Sequence, residues 1–518
     1  MVEKADNADS PLSAGDIPHS RNGQPMQFWG TFAALCLLSF ISALDVSIIS
    51  TSLPAIIASI DGANQFVWIA NSFLIASTVL QPLRGVGGIY VLLDIICCDL
   101  VPLCERGKWL GLMFSWAGIA ATLGPPVGGA IAEANWRWIF WINLPICGLA
   151  LVLVLAFMRV KKVAHEGQQG ITNKLKQIDY LGNLIFIPII FAVLWGLIFG
   201  GNRYPWSSYQ IIVPLVLGVC GWAAFHVQQH FSRPQSVPSR LFTNRTSVIA
   251  FSLTFTSSVV VQSLTYFLPI YFQGVLGTTV LDSGTFFLPY AIGSLFSAVA
   301  VGALLGKLGS YRILHAGTFA ISAVAFGLLT LLSNSTSKVA RAFFQVIAAA
   351  GTGGTMSIML PAIMAGLPES DVASSSTVYS FVRNFGYLWG LTVSGIIFNA
   401  VIDRNLSAVS DTKIQTELIG GGAYAFASQI HRLRDVLDFA DWFEITQVFR
   451  QGLKAIWWFC LGICLLSLAA VPGEKSLKLR QELNTEYGLD NGEGVQRPNA
   501  TDQSEAIREE PVMGSHEA

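Results

Sequence analysis

The stretch LDVSIISTSLP, residues 44–54, lies inside a long apolar segment that runs from Phe28 to Ile60. From Phe28 to Leu53 this segment is long enough to cross a bilayer as a helix, because the hydrocarbon core requires about 20 apolar residues. It contains one carboxylate, Asp45. An Asp near the centre of a membrane helix costs roughly 2.5 to 3.5 kcal/mol on insertion scales, so it usually faces an aqueous cavity or the interior of a helix bundle. Asp45 is therefore a candidate proton or ion site, and an Asp held by a polar neighbour for packing alone is the alternative.

The composition of the whole chain indicates a polytopic membrane protein. Its 518 residues are 53% hydrophobic and 12% charged, and the mean hydropathy is +0.55. These values exclude a soluble globular protein. The net charge of −1 gives no reason to expect a nucleic-acid partner. The eight cysteines have no spacing typical of a metal site or a disulfide framework, and we expect neither a metal nor a cofactor.

Ten apolar segments after residue 103 are each long enough to span a bilayer. These predicted spans are 110–131, 139–158, 178–199, 210–230, 249–272, 284–305, 313–332, 340–365, 377–401 and 453–471. The run before them, residues 66–103, is anomalous, because one helix of that length would be about 57 Å long against a hydrocarbon core of about 30 Å. The sequence QPLRG at 81–85 interrupts this run near its middle. Whether the run forms one span or two stays open.

Basic residues in alternate loops predict the orientation in the membrane. They concentrate in the loops 159–177 and 231–248, near Lys307 and in the tail after residue 474, so we expect this side to face the cytosol. The long loop 402–452 then faces outside.

Two features are expected on the outer side. An amphipathic helix is predicted over 423–449, lying on the membrane surface. The sequons that begin at Asn334 and Asn405 are predicted glycosylation sites.

A second informative stretch is GIAATLGPPVGG at 118–129. Pro125 and Pro126 remove two backbone donors, while the glycines offer a flat face to a neighbouring helix. The stretch therefore predicts a bent and tightly packed span.

Taken together, these motifs resemble the drug:proton antiporters of the major facilitator superfamily, in the branch with fourteen spans. The match is strengthened by WRWIFWINLP at 136–145 and by four shorter motifs, and it is closest to fungal toxin and multidrug efflux pumps. The shorter motifs are LPIYFQG at 268–274, SG at 283–284 followed by LP at 288–289, FVRNFG at 381–386 and GAY at 422–424.

The resemblance implies an all-α fold of two helical bundles with two extra central helices. It implies that Asp45 couples transport to protons, and that the antiporter motif consists of Gly124, Pro125, Pro126, Gly128 and Gly129. The residues expected to line a substrate cavity are Phe267, Tyr271, Gln273, Tyr379, Phe381 and Arg383. For Arg383, a snorkelling position at the cytosolic edge is an equally good interpretation.

Compared with the same family, residues 66–103 are short. Residues 68–83 resemble the second span and residues 85–107 resemble most of the fourth, so the loop after span two and all of span three are absent. The missing material is roughly 40 to 60 residues, since one span needs about 20. We therefore expect a first bundle that lacks about one helix, in a truncated product that transports poorly or not at all.

The expected organisation has five parts. They are a disordered cytosolic tail (1–27), an incomplete first bundle (28–158), a cytosolic linker with two extra spans (159–245), a second bundle with an outer loop (246–471), and a disordered cytosolic tail (472–518).

The expected function is proton-coupled efflux of apolar small molecules, such as toxins, secondary metabolites or drugs, by a monomer in the plasma membrane. The partners would be the substrate, protons and the lipid bilayer, and the chain would not be an enzyme. Three alternatives remain: uptake of basic amino acids or siderophores, a non-transporting sensor or relic, and a location in the vacuolar membrane.

Overall fold

The computed structural model describes residues 26–59, 103–158, 180–200, 204–231, 239–368, 371–433 and 438–475, together with Ile69, Asn71, Ser72, Leu93, Ile96 and Cys97. Within these ranges the regular structure is almost entirely helical. The helices are α1 (Met26–Ser59), α2 (Leu103–Asn135), α3 (Asn143–Phe157), α4 (Tyr180–Phe199), α5 (Tyr209–Phe231), α6 (Arg245–Ile270), α7 (Val280–Leu308), α8 (Tyr311–Leu329), α9 (Lys338–Met364), α10 (Val372–Asn405), α11 (Thr412–Leu418), α12 (Ala423–Leu433) and α13 (Phe439–Ala470).

Nine helical segments in the described part of the chain are long and apolar enough to cross a membrane, which confirms the predicted class of protein. Each of the ten spans predicted after residue 103 coincides with a helix. The prediction of one missing helix falls largely on residues 66–102, which lie outside the described residues apart from the six isolated positions given above. Residues 1–25 and 476–518 of the predicted tails also lie outside the described residues. The tail bounds were wrong at their inner ends, because Met26 and Gln27 already belong to α1 and residues 472–475 are ordered.

The helices form two groups. In the first group α1 packs against both α2 and α3, and in the second group α6 packs against α10 while α9 packs against α7 and α8. Helix α13 closes the second group against α8 and α10, and α4 pairs with α5. The two groups meet mainly where α2 packs along α7.

Close helix packing in the second group depends on small residues. A Cβ atom on Gly390 of α10 would lie 2.5 Å from the carbonyl oxygen of Val259 in α6, and one on Gly353 of α9 would lie 2.5 Å from the carbonyl oxygen of Ser294 in α7. Because membrane helices associate through van der Waals packing rather than the hydrophobic effect, such backbone approaches supply much of the attraction.

Residues 402–452 differ from the expectation of one amphipathic helix on the membrane surface. The chain there forms α11 and α12, and α13 already begins at Phe439. Helix α12 packs against α1 and against the π-helical turn Tyr271–Val275, which continues α6. Its first six residues, from Ala423 to Ser428, are all buried, so the first part of the helix is enclosed on every side, whereas Gln429 and Arg432 are exposed.

The end of α13 is held by what we call the C-terminal clamp, residues Pro472–Lys475. Arg312 donates to the carbonyl of Pro472 at 3.0 Å, and the backbone N–H of Lys475 donates to Thr246 Oγ1 at 3.1 Å. Nδ1 of His315 lies 2.9 Å from Oε2 of Glu474, and both side chains are fully buried. The clamp therefore joins the ends of α6, α8 and α13 at the start of the predicted C-terminal tail.

Candidate functional site

Asp45 lies half-buried in the middle of α1 and faces the first residue of α3. Nδ2 of Asn143 donates a hydrogen bond of 2.5 Å to Oδ1 of Asp45. The neighbouring residues Leu44 and Ile48 are buried in an apolar cluster that also contains Ile139. The structure therefore places the carboxylate in apolar surroundings with a single neutral polar partner among the described residues.

The predicted antiporter motif forms the closest contact between α1 and α2. Pro125 has no N–H, so the carbonyl of Ala121 one turn earlier loses its helical donor. The hydroxyl of Ser47 in α1 donates to this carbonyl at 2.7 Å. The carbonyl that the proline leaves without a helical donor is thus satisfied from a neighbouring helix, one half-turn along α1 from Asp45.

Two glycines of the motif make this approach possible. A Cβ atom on Gly124 would lie 2.5 Å from the Cβ and Oγ atoms of Ser47, and one on Gly128 would lie 2.9 Å from the carbonyl oxygen of Ile48. Any side chain at these positions would therefore push α1 and α2 apart.

The opposite side of the motif contacts the second group of helices. A Cβ atom on Gly129 would lie 2.8 Å from the Cα of Leu281, and one on Gly284 would lie 2.5 Å from the carbonyl oxygen of Pro125. The segment Gly124–Gly129 consequently lies between α1 and α7, where the two helix groups meet.

Gln273 adds a polar link between the same groups. Its Nε2 lies 3.3 Å from Oγ of Ser283 and 3.5 Å from the carbonyl oxygen of Thr51 in α1. Ser283 in turn donates to the carbonyl of Pro269 at 3.3 Å, beside the π-helical turn. Gln273 is fully buried, so in this conformation it lies in the contact between the groups rather than in an open cavity.

The other predicted cavity residues do not form one cluster. Phe267 is buried between the rings of Phe398 and Tyr424, with ring centroids 5.6 and 6.1 Å away. Tyr271 is also buried, and its hydroxyl donates to the carbonyl of Ser333 at 2.9 Å. Both side chains belong to the contact of α6 with its neighbours in the second group.

Tyr379 and Arg383 lie together near the beginning of α10. The Arg383 guanidinium carbon is 5.2 Å from the centroid of the Tyr379 ring, and both residues are buried. Phe381 points elsewhere and packs against Phe186 of α4, with centroids 5.4 Å apart. A role of these residues in substrate binding stays a prediction.

The two predicted glycosylation sites differ in their surroundings. Asn334 is exposed in the turn between α8 and α9, although its Nδ2 donates to Thr446 Oγ1 at 2.8 Å. Asn405 is half-buried in the last turn of α10 and donates to the carbonyl of Val401 at 2.7 Å. Modification at either residue also stays a prediction.

Sequence reasoning assigned no role to Asn143 or Ser47. Asn143 and Arg137 are the two polar residues in the motif at 136–145, so the position of Asn143 in an apolar run could have indicated a role. Ser47 gave no such signal, because its role depends on which carbonyl of the adjacent helix it faces.

Comparison with known proteins identifies the family. The sequence model of the family described as Major Facilitator Superfamily matches residues 83–391. The chain is 35% identical to the MFS efflux transporter aclA of Aspergillus oryzae, over 90% of this chain and 92% of that protein. It is 34% identical to the efflux pump FUS6 of Gibberella moniliformis, over 96% of this chain and 95% of that protein.

Among solved structures, the chain matches a bacterial homologue of the human lysosomal transporter Spinster in an inward-facing, unoccupied conformation. The TM-score is 0.49 at 15% identity, over 87% of this chain and 98% of that one.

Each alignment with these two fungal relatives has more positions than the number of residues that this chain contributes to it. The alignment with aclA extends over 517 residues, yet 90% of this 518-residue chain is about 466 residues. About 50 positions of the alignment therefore have no residue of this chain. With the family match over more than half of the chain, and relatives above 30% identity along nearly all of it, the chain belongs to the major facilitator superfamily and is a multi-pass membrane transporter of small molecules.

Proposed function

We propose that this protein exports apolar small molecules of the secondary-metabolite or toxin class in exchange for protons, and that Asp45 carries the proton. The observation that carries this proposal is a carboxylate in the middle of a membrane helix, half-buried, with one neutral hydrogen-bond partner. An intramembrane acid in such surroundings usually serves an ion or proton pathway. The names of the relatives, an efflux transporter and an efflux pump, support the direction of transport.

The position of Asp45 supports a coupling role. It lies one half-turn from Ser47, which bonds to the carbonyl freed by Pro125, and the same motif contacts α7 on its other side. Asp45 and Ser47 lie on different faces of α1, so the coupling that we propose would pass through a movement of α1 itself. Transporters of this architecture alternate by rocking one bundle against the other around a central site.

The rival function, uptake of basic amino acids or siderophores, would require acidic groups beside Asp45. Among the described residues, no second carboxylate contacts Asp45, and the surrounding cluster is apolar. An uncharged apolar substrate suits these surroundings better than a cationic one.

The test measures how protons and substrate compete. Purified protein in detergent micelles is titrated with Nile red, an uncharged apolar dye, from pH 4 to pH 9, and binding is followed by fluorescence. If proton and substrate exclude each other, dye binding falls as Asp45 becomes protonated, because linkage is reciprocal. The variant Asp45→Asn should bind dye equally at all pH values.

The matched control is Asp282→Asn, since Asp282 is an exposed carboxylate in the first turn of α7. It should retain the pH dependence of the unchanged chain. A pH dependence that survives in Asp45→Asn would exclude Asp45 as the proton carrier. Proteoliposomes with an imposed pH gradient then show whether the dye moves against its concentration gradient.

A further inference from the structure

The partner of Asp45 has an unusual feature of its own. Asn143 donates through Nδ2 to Asp45, while its carbonyl oxygen Oδ1 is buried and accepts no hydrogen bond from the described residues. A buried acceptor without a partner costs about 1 to 3 kcal/mol. Such a group in a folded protein calls for an explanation, and functional sites supply one of the recurring explanations.

We propose that Asn143 is a positioning residue that follows the protonation of Asp45, an inference that rests on the proposed function. With Asp45 ionised, the Asn143 amide N–H donates to the carboxylate, as the structure shows. When a proton from the aqueous phase binds to Asp45, the carboxylic O–H becomes a donor, and Oδ1 of Asn143 accepts it after the amide turns about its last side-chain bond. One hydrogen bond breaks, one forms, and only the single proton is added.

This exchange would act on the junction of α1 and α3. Asn143 is the first residue of α3, directly after a single turn of helix from Trp138 to Trp141. At the other end of the same helix pair, the ring of Phe157 in α3 packs directly on Gly30 in α1. A side chain at residue 30 would not fit there. Among the described residues, the Asp45–Asn143 bond is a polar contact between α1 and α3, and Gly30 and Phe157 give an apolar one.

Among the described residues, the charged positions on the helices around α1 lie near helix ends, whereas Asp45 lies in the middle of α1. The helices packed against α1 are α2, α3, α6, α7 and α12. Their charged or basic residues all lie in the first or last two turns, and they are Glu105, Arg106, Lys108, Glu133, Arg245, Asp282, Lys307, His431 and Arg432. The other titratable side chains on these helices and on α1 are thiols and phenols, which are mostly neutral near pH 7.

The pH titration of dye binding tests this proposal. The substitution Asn143→Leu keeps the number and branching of the side-chain heavy atoms but removes both the donor and the acceptor. Because a hydrogen bond to the ionised form is roughly twice as strong as one to the neutral form, its loss favours the protonated carboxyl. The midpoint of the titration should move to higher pH by about one unit.

Asn143→Gln keeps an amide and should restore much of the original midpoint, while Asn143→Asp places a second carboxylate beside the first and should move the midpoint further toward alkaline pH. The control is Asn135→Leu, at an exposed asparagine whose Oδ1 accepts from the Arg137 N–H in the turn before α3. A midpoint unchanged in both Asn143→Leu and Asn143→Asp would overturn the proposal.

The outcomes distinguish a failure of this inference from a failure of the proposed function. If Asp45→Asn abolishes the pH dependence while the Asn143 variants leave the midpoint unchanged, the proton site stands and Asn143 is merely structural. If Asp45→Asn retains the pH dependence, both proposals fall. Should Asn143→Leu fail to fold, the Gln and Asp variants give the same comparison.

Discussion

At the scale of single residues, the contact between Ser47 and the proline pair has a measurable energy. Replacing Ser47 with Ala should leave the carbonyl of Ala121 buried without a donor, and should lower the free energy of unfolding by about 1 to 3 kcal/mol. Ser52→Ala is the control, because Ser52 donates to the carbonyl of Ile48 in its own helix, which also has a helical donor. Thermal unfolding in detergent, followed by tryptophan fluorescence, should show a clearly larger loss for Ser47→Ala.

Gly124 permits a second prediction at this scale. In Gly124→Ala the added methyl group would overlap Ser47, so α1 and α2 must separate, at a cost of about 1 to 3 kcal/mol for overpacking. Gly148→Ala adds the same methyl group in α3 where nothing lies within 4 Å, and should leave the unfolding temperature nearly unchanged. Equal effects of the two substitutions would contradict the packing described here.

Residue-scale roles could be predicted only in part. Asp45 was recognisable because an acid in an apolar helix is costly whatever its neighbours are. The cavity residues were less accessible to prediction, since Phe267 and Phe381 differ in which helix they face and not in their chemistry. That difference is set by helix rotation and packing, which a single sequence does not specify.

At the scale of helices, the C-terminal clamp gives the clearest prediction. Glu474→Ala removes one member of a buried pair and leaves His315 without its partner, so the clamp should open. Limited trypsin digestion should then cleave after Lys475 much faster, because that residue's backbone is otherwise bonded to Thr246 and to Tyr311. Glu444→Ala, which removes a carboxylate bonded to Ser410 beside α11, should not change this cleavage rate.

The positions of the membrane helices were well predicted, because length and hydropathy alone define them. Helix α12 was not, since its sequence has the periodicity of a surface helix. Its burial comes from α1 and the turn Tyr271–Val275, two segments far away along the chain. The spacing of apolar residues predicts that one face of a helix is buried. It does not predict which segments bury the other faces.

At the scale of the whole molecule, the predicted shortening at residues 66–103 leads to a direct experiment. The family match begins at residue 83, inside the break predicted at 81–85, and the alignment with aclA leaves about 50 positions unmatched. We propose that this form lacks a membrane helix of its first bundle and therefore transports slowly. Inserting the corresponding segment of aclA between Leu83 and Gly87 should raise dye transport at least tenfold.

Two comparisons make that experiment decisive. A Gly/Ser-rich insert of equal length controls for the added chain and should give no gain. Transport by the unmodified chain at the rate of aclA itself would show that the missing segment is dispensable. Sequencing the transcript across the codons for Leu83 to Gly87 would show whether an in-frame segment encoding a further span exists.

The solitary carboxylate of α1 has a consequence for energetics. If one proton enters for each uncharged molecule that leaves, every cycle carries one net positive charge inward, so transport is electrogenic. A charge that crosses a membrane potential of 100 mV gains about 2.3 kcal/mol, enough to sustain a roughly fiftyfold concentration ratio of substrate. Voltage alone, set with potassium and valinomycin at equal pH on both sides, would then drive export.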